Sequence, residues 1–241
     1  MIRLLLIPIY IYMERNVSLF YLIMGELLLL CFLGTFLDYF VPKYLDITYY
    51  DMYDKKNIKS YEKTKFRHVI NVIRNMIIYF IIKILIYNNI NNDINDNNNT
   101  MLCFKLIMSG VISSIFFYYS HRLLHHKSVY YLVHKQHHLY NNPLAIMAIY
   151  CHIIEFMLCN CIAFFLAPYL VGLSNRYILA YSFLGMINIF ITHTSYRFNN
   201  YILRFVFGES HFHHIHHNKI YNNYGLNTTF MDIIHHTYNS L

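Results

Sequence analysis

Tryptophan is absent from this 241-residue chain, glycine occurs seven times, proline four, and only 13% of the residues are charged. With 57% hydrophobic residues beside so little charge, the balance is too apolar for an ordinary soluble domain, although the length suffices for one. There is no C-x-x-C pair and no Cys/His zinc spacing, which excludes a zinc finger and an iron–sulfur site. The five cysteines, Cys31, Cys103, Cys151, Cys159 and Cys161, fall in apolar stretches and are expected to be buried reduced thiols. A Gly-rich dinucleotide fingerprint and a haem-type motif are also missing, so redox chemistry would draw its electrons from outside the chain. No small-residue cleavage site follows MIRLLLIPIYIYMERN, and the first apolar stretch is therefore expected as a retained span rather than a signal peptide.

What the chain has is apolar length. Val17 to Val41, Val69 to Tyr87, Met101 to Tyr119, about Ile146 to Leu173, and the shorter Tyr177 to Ile191 mostly approach or exceed the roughly 18–20 residues a helix needs to cross a ~30 Å hydrocarbon core. The expectation is an all-α polytopic membrane protein with about four to five transmembrane helices, the last two forming a hairpin with an outer turn near Ser174-Asn175-Arg176.

The formal charge of +7 does not indicate nucleic acid. Its basic residues concentrate in Lys43 to Arg67, interleaved with Asp46, Asp51, Asp54 and Glu62, which reads as a solvated juxtamembrane loop. Tyr87 to Thr100 is Asn-rich and has no Lys or Arg. If basic loops are cytoplasmic, that second loop is lumenal, and its Asn98-Asn99-Thr100 is a glycosylation acceptor pattern on the usable side. The span from Met101 then returns to the cytoplasm. The division expected is residues 1–100 as N-terminal spans with their loops, and residues 101–241 as the catalytic domain.

Of sixteen histidines, eleven fall in two short segments, HRLLHHKSVYYLVHKQHH (His121 to His138) and HFHHIHH (His211 to His217). His121 and His125 are spaced i, i+4. His134, His137 and His138 are spaced i, i+3, i+4, and His213, His216 and His217 repeat that pattern. On a helix such residues share a face, so each segment is expected to aim two or three ring nitrogens at one point. Neutral imidazoles are good zinc and iron ligands, and several convergent ones in a desolvated site need something to satisfy them. Eight or more ligands exceed the four of one zinc site, which argues for two metals. No carboxylate sits at ligand spacing within these segments, unlike soluble carboxylate di-iron bundles. His68, His126, His211, His235 and His236 are read as solvated or hydrogen-bonded side chains.

HRLLH (His121 to His125), HKQHH (His134 to His138) and HHIHH (His213 to His217) together resemble the histidine boxes of the sterol desaturase and fatty acid hydroxylase superfamily. The likeness covers about Phe116 to Tyr238 and includes Pro143, the CHIIE segment with His152 and Glu155, HTSY at His193, and NNYGLNTTFMD, Asn222 to Asp232. It implies integral endoplasmic reticulum enzymes, multi-pass, with the boxes in a cytoplasmic helical cap. It further implies two His-ligated iron ions that activate O2, a site that zinc can occupy on purification. The implied ligands are His121, His125, His134, His137, His138, His193, His213, His216 and His217, with His152 a possible tenth; His126 is expected to point away.

The chain departs from the superfamily pattern at four positions. The often acidic position in the third box is His214, Ile153 replaces the Pro after His152, Met231 replaces Trp before Asp232, and the closing Gly-Thr/Ser element reads His236-Thr237.

The motif context looks most like sterol C5-desaturases (lathosterol oxidases), whereas Glu155 is what C4-methyl sterol oxidases and sphingolipid hydroxylases carry. The resemblance implies a membrane lipid or sterol as substrate and electrons from cytochrome b5 and NAD(P)H. Fatty acid, sphingolipid C4 and C4-methyl sterol hydroxylation are the alternatives within the superfamily. A metal or proton transporter, or a non-catalytic member, is the alternative of another class.

Overall fold

The structure is a computed structural model that describes residues 47–49, 55–89, 96, 98–140, 144–194, 196–199, 210–226 and 228–240, together with parts of 25–37. Most of the Val17 to Val41 stretch, most of Lys43 to Asp54, the middle of the Asn-rich loop and Pro143 lie outside these residues.

Helix α1, Lys55–Asn89, runs for 35 residues. The chain contains no Gly or Pro from 55 to 89, so nothing in that stretch breaks a helix, and the second half of the expected basic loop is helical instead. Ile70, Ile73, Ile77, Ile81 and Ile84 form an exposed apolar stripe along it at helical spacing. Such a stripe is unfavourable in water and suits lipid.

Asn98 accepts a hydrogen bond from the Met101 N–H at 3.1 Å and caps α2, Asn99–Leu124. The asparagine of the acceptor pattern thus has a structural role. Helix α3, Ile153–Leu170, is wound as a π-helix over Phe156–Leu166. It is followed by a turn with Gly172 at φ +72 and then by α4, Asn175–Thr192. Asp96 and Lys105 tie this turn to the start of α2: their side chains pair at 2.7 Å, Lys105 donates to the Gly172 carbonyl at 2.7 Å, and Asp96 accepts from the Ser174 N–H at 2.8 Å.

Among the described residues, three helices are long and apolar enough to cross a membrane: Phe66–Tyr87 within α1, Asn99–Leu124 and Ile153–Leu170. The protein is an all-α membrane protein whose only described strands are one three-residue antiparallel pair, β1 (Ile47–Tyr49) and β2 (Tyr196–Phe198), with Ile47 opposite Phe198.

The stretch from Ile146 to Leu173 is not one helix. A 3-10 turn, Ala145–Ile149, precedes a break at Tyr150 to His152. The break exposes carbonyls that α1 satisfies. Asn75 Nδ2 donates to the Ile149 and Cys151 carbonyls at 2.9 and 3.1 Å, and Arg74 donates to Cys151 at 2.9 Å. Lys83, similarly buried in α1, pairs with Glu26. The core runs through Tyr79, Phe80, Phe156, Phe165, Ile178, Met186 and Phe190, joining α1, α3 and α4. Gly185 permits close helix approach, because a Cβ there would lie 2.5 Å from the Phe164 ring. Cys151, Cys159 and Cys161 are buried free thiols as expected, but Cys103 is exposed, on the outward face of α2 near its start.

Candidate metal centre

The three boxes come together at one end of the helices. His121 lies in the last turn of α2 and His125 is its C-cap, so the i, i+4 spacing brings both side chains to the same side of the helix end. Two short turns follow, a π turn at Tyr130–His134 and a 3-10 turn at His137–Leu139. His193 is the C-cap of α4. Helix α5, Ser210–Asn218, carries His213, His216 and His217.

The ring nitrogens sort into two groups, His121, His125, His134, His138 and His216 in one, and His137, His193, His213 and His217 in the other. Within each group the candidate ligand atoms lie within 4.8 Å of one another. The groups adjoin, with the His138 and His217 rings 4.6 Å apart. All these side chains are buried except His138, which is partly exposed.

This division bears out the expectation of a single target for the first box and corrects it for the other two. In the second box His134 and His138 share the first group and His137 joins the second; in the third box His213 and His217 share the second group and His216 joins the first. On α5, at about 100° per residue, i+4 lies about 40° to one side of i and i+3 about 60° to the other, so the two positions of one face turn toward different groups. The second and third boxes therefore each contribute to both groups, while His121 and His125 of the first box stay together in one.

Backbone carbonyls orient the rings. His121 Nδ1 donates to Tyr224 O at 2.7 Å, His216 Nδ1 to Asn222 O at 2.6 Å, and His193 Nδ1 to Ile189 O at 2.8 Å. A neutral imidazole that donates through Nδ1 presents a bare lone pair at Nε2. Glu155 acts from the opposite side: its carboxylate oxygens lie 2.9 Å from His134 Nδ1 and 3.7 Å from His137 Nδ1, so one buried side chain reaches a member of each group.

The Nε2 atoms crowd together in consequence. His134 Nε2 lies 3.1, 2.9 and 3.0 Å from the Nε2 atoms of His121, His125 and His138. His193 Nε2 lies 3.1 and 3.0 Å from those of His137 and His213. One ring nitrogen carries at most one hydrogen and cannot satisfy three such neighbours, and two lone pairs face each other wherever both rings donate through Nδ1. Both ring nitrogens of His217 lack a hydrogen-bond partner among the described residues. A cation in each group resolves these contacts, which is the chemistry the donor set fits.

Burial holds the rings neutral and ready to ligate. It pushes the proton affinities of His134, His137, His138, His213, His216 and His217 well below the ordinary histidine value, with neighbouring imidazoles adding to the effect. His125 is lowered for the same reasons, and His193 is lowered to about 4.

His152 is not brought into either group. It caps the start of α3, its Nδ1 accepting from the Ile154 N–H at 3.2 Å. His126, exposed, caps the short Lys127–Val129 turn and points away. His235 stacks on Tyr118 at 5.1 Å and meets the Tyr119 hydroxyl at 3.0 Å, and His214 bonds Asn218 at 3.0 Å.

Sequence spacing missed the reach of Glu155, because it lies outside the boxes; its only signal was its place in the CHIIE segment. Also missed was the bracing of the 222–225 loop. Asp232 accepts from the Tyr224 and Gly225 N–H groups, both at 2.8 Å, and from the Thr237 hydroxyl at 2.7 Å, fixing the carbonyls that hold His121 and His216. A Cβ at Gly225 would lie 2.8 Å from that carboxylate and collide with the Thr228 carbonyl. Asn223, at φ +56, ties the loop to Phe212 and Asn239.

Several curated proteins are similar to this half of the chain. Fatty acid hydroxylase domain-containing protein 2 of Homo sapiens is 32% identical over 122 residues, which is 51% of this chain and 35% of that protein. Methylsterol monooxygenase 1 of Rattus norvegicus is 34% identical over 130 residues, 52% of this chain and 43% of that protein. The Gallus gallus protein of the same name is 30% identical over 128 residues, 52% and 42%. The matched part thus covers less than half the length of these relatives. No solved structure matches. The fatty acid hydroxylase family model matches residues 106–237, more than half of the sequence and all nine clustered histidines, and the chain belongs to that family.

Proposed function

We propose that the protein is a membrane-embedded, iron-dependent oxidoreductase that uses O2 to oxidise a C–H bond of a membrane lipid, acting on a sterol. The observation that carries this is the pair of adjoining histidine groups whose opposed nitrogen lone pairs call for a cation in each. Iron bound there supplies O2 activation next to an unactivated C–H bond. In hydroxylation one oxygen atom enters the C–H bond and the other leaves as water. In desaturation two hydrogens leave the lipid and both oxygen atoms leave as water. Either outcome takes two electrons and two protons from outside.

The chain's own residues present neutral nitrogens, fix their direction through Tyr224, Asn222 and Ile189, and brace both groups from one carboxylate at Glu155. Box context favours C5-desaturation. Glu155 and the names of the methylsterol monooxygenase relatives favour oxidation of a C4-methyl group, which is the second reading. The electron donor in this reading is cytochrome b5 reduced through NAD(P)H, docking on the exposed Arg122, Lys127 and Lys135 near the boxes, and the site faces the cytoplasm from the endoplasmic reticulum membrane. Transport has less support, since among the described residues Glu26 is engaged with Lys83 and Arg74 with the Cys151 carbonyl.

The test is to purify the protein in detergent, measure iron and zinc per chain, and follow sterols and sphingoid lipids in a host lacking its own C5-desaturase. Two irons with a new sterol double bond or an oxidised 4-methyl group support the reading and choose between its forms. Zinc alone with no lipid change overturns it. Metal is expected to be lost in His134→Ala and retained in His235→Ala and His152→Ala; equal loss in all three would refute the ligand map.

A further inference from the structure

Between α2 and α4, lined also by Leu226, Thr228 and Phe230, lies a cleft of about 430 Å3, within the roughly 300–1,000 Å3 of small-molecule sites. Two residues of its wall adjoin residues of the histidine groups. The ring of Phe117 in its wall is 5.2 Å from the ring of His121. Asn188, also in its wall, immediately precedes Ile189, whose carbonyl holds His193. From there the cleft follows α2 away from the histidines to Gly110 and Ile107, within an apolar span.

Two glycines make its room. A Cβ at Gly110 meets nothing within 4 Å, so the space beside that residue is empty cleft. A Cβ at Gly185 would sit 2.5 Å from the ring of Phe164, which forms part of the wall and would have to move.

The polar side chains of the wall are Ser113, Ser114, Tyr181, Asn188 and Thr228. Ser113 and Tyr181 face the cleft but are engaged, Tyr181 donating to Ser113 at 2.9 Å and Ser113 to the Ala163 carbonyl at 2.6 Å. Asn188 also lines the cleft; its backbone carbonyl accepts from the Thr192 hydroxyl, and its side-chain amide makes no hydrogen bond among the described residues. No Lys or Arg is among the described residues of the lining, so an uncharged hydroxyl suits this seat better than a carboxylate.

We infer that the cleft seats a sterol with its hydroxyl on Asn188 and its hydrocarbon body running past Gly110, so that the oxidised carbon lies within a few bonds of that hydroxyl. This rests on the lipid-oxidising reading for its chemistry, but the seat can be tested without turnover. Binding of cholesterol is compared with that of cholest-5-ene, the same skeleton without the hydroxyl, and with stearate, on detergent-purified full-length protein.

The wild-type protein is expected to prefer cholesterol over cholest-5-ene by about threefold to tenfold, the contribution of one hydrogen bond. Asn188→Ala removes that preference, and Gly110→Phe weakens binding of both sterols. Leu184→Phe, at an exposed position on α4 outside the cleft, changes neither. A preference that survives Asn188→Ala, undiminished binding in Gly110→Phe, or tighter binding of stearate than of cholesterol overturns the seat. Sterol binding with this variant pattern but without oxidation, in iron-loaded protein supplied with reductant and O2, overturns the enzymatic reading and leaves the seat standing.

Discussion

Replacing Asp232 by Asn tests whether the C-terminal loop positions the metal ligands. The carboxylate is fully buried and receives the Tyr224 N–H and the Thr237 hydroxyl on one oxygen and the Gly225 N–H on the other. An amide of the same shape can keep its oxygen toward Tyr224 and Thr237, but its NH2 then faces the Gly225 N–H. One hydrogen bond to a charged group, worth about 1.5–3 kcal/mol, is lost, and a buried donor is orphaned at about 1–3 kcal/mol. Allowing for partial relaxation of the loop, the variant is expected to lose about 3 kcal/mol, a fall of roughly 6–12 °C in unfolding midpoint for a chain of this size. Because Tyr224 and Asn222 supply the carbonyls that hold His121 and His216, the five-histidine group suffers and the other does not. Competition with a chelator should resolve two phases, the first weakened about 10- to 100-fold and the second unchanged. Wild-type unfolding together with two unaltered phases would refute the reasoning.

Glu155→Gln gives a contrasting pattern. Its carboxylate contacts His134 in one group and His137 in the other, so both phases of the chelator competition weaken by about 10- to 100-fold, and a shift confined to one phase contradicts the bridging role. His236→Gly relieves a side chain held at φ +54 and is expected to stabilise the fold by up to about 1 kcal/mol, read as a raised unfolding midpoint; a lowered midpoint counts against strain there. The pH dependence of protein stripped by chelator follows from burial of the imidazoles. Folded His193 takes a proton only near pH 4, against 6.5 unfolded, so its contribution to stability is complete above pH 6.5 and declines as pH falls from 6.5 toward 4. Denaturant midpoints that are flat across that window would contradict the burial argument.

Eight of the nine clustered histidines were legible because helical spacing is local information, and a run of imidazoles beside an apolar span has few other uses; His193, which stands alone in the sequence, was indicated only by the family resemblance. Their partition was not legible. It depends on where the 134–138 turns and α5 pass between the two groups, and spacing fixes relative direction without fixing what lies in either direction. His152 shows the converse limit. Its place in the CHIIE segment suggested a ligand, but the helix break at Tyr150 to His152 makes it a cap and turns Glu155, three residues on, toward the histidines. That break was hidden in a continuous apolar run, because the groups that satisfy its carbonyls, Arg74 and Asn75, come from a different helix. The long span of α1 was readable from apolar length; its extension back to Lys55 was hidden, because charge alone does not separate a solvated loop from a solvated helix.

The same contacts bear on whether the C-terminal departures weaken the site. Met231, where the family has Trp, is buried with Tyr118 and Tyr224 and still packs against the residue whose carbonyl holds His121. Thr237 keeps its hydroxyl on Asp232 and also meets the Tyr118 hydroxyl at 3.0 Å, so the closing element lacks only the glycine, at a cost in backbone strain at His236. His214 turns to Asn218, and Ile153 occupies the first turn of α3 without disturbing the cap from His152. The departures thus fall on packing, backbone shape or solvent-side contacts. The carbonyls of Tyr224, Asn222 and Ile189, which accept from clustered imidazoles, and the Glu155 carboxylate beside His134 are in place. A non-catalytic member with relaxed constraint on its site would be expected to lose these contacts first, since they contribute to metal geometry more than to the fold.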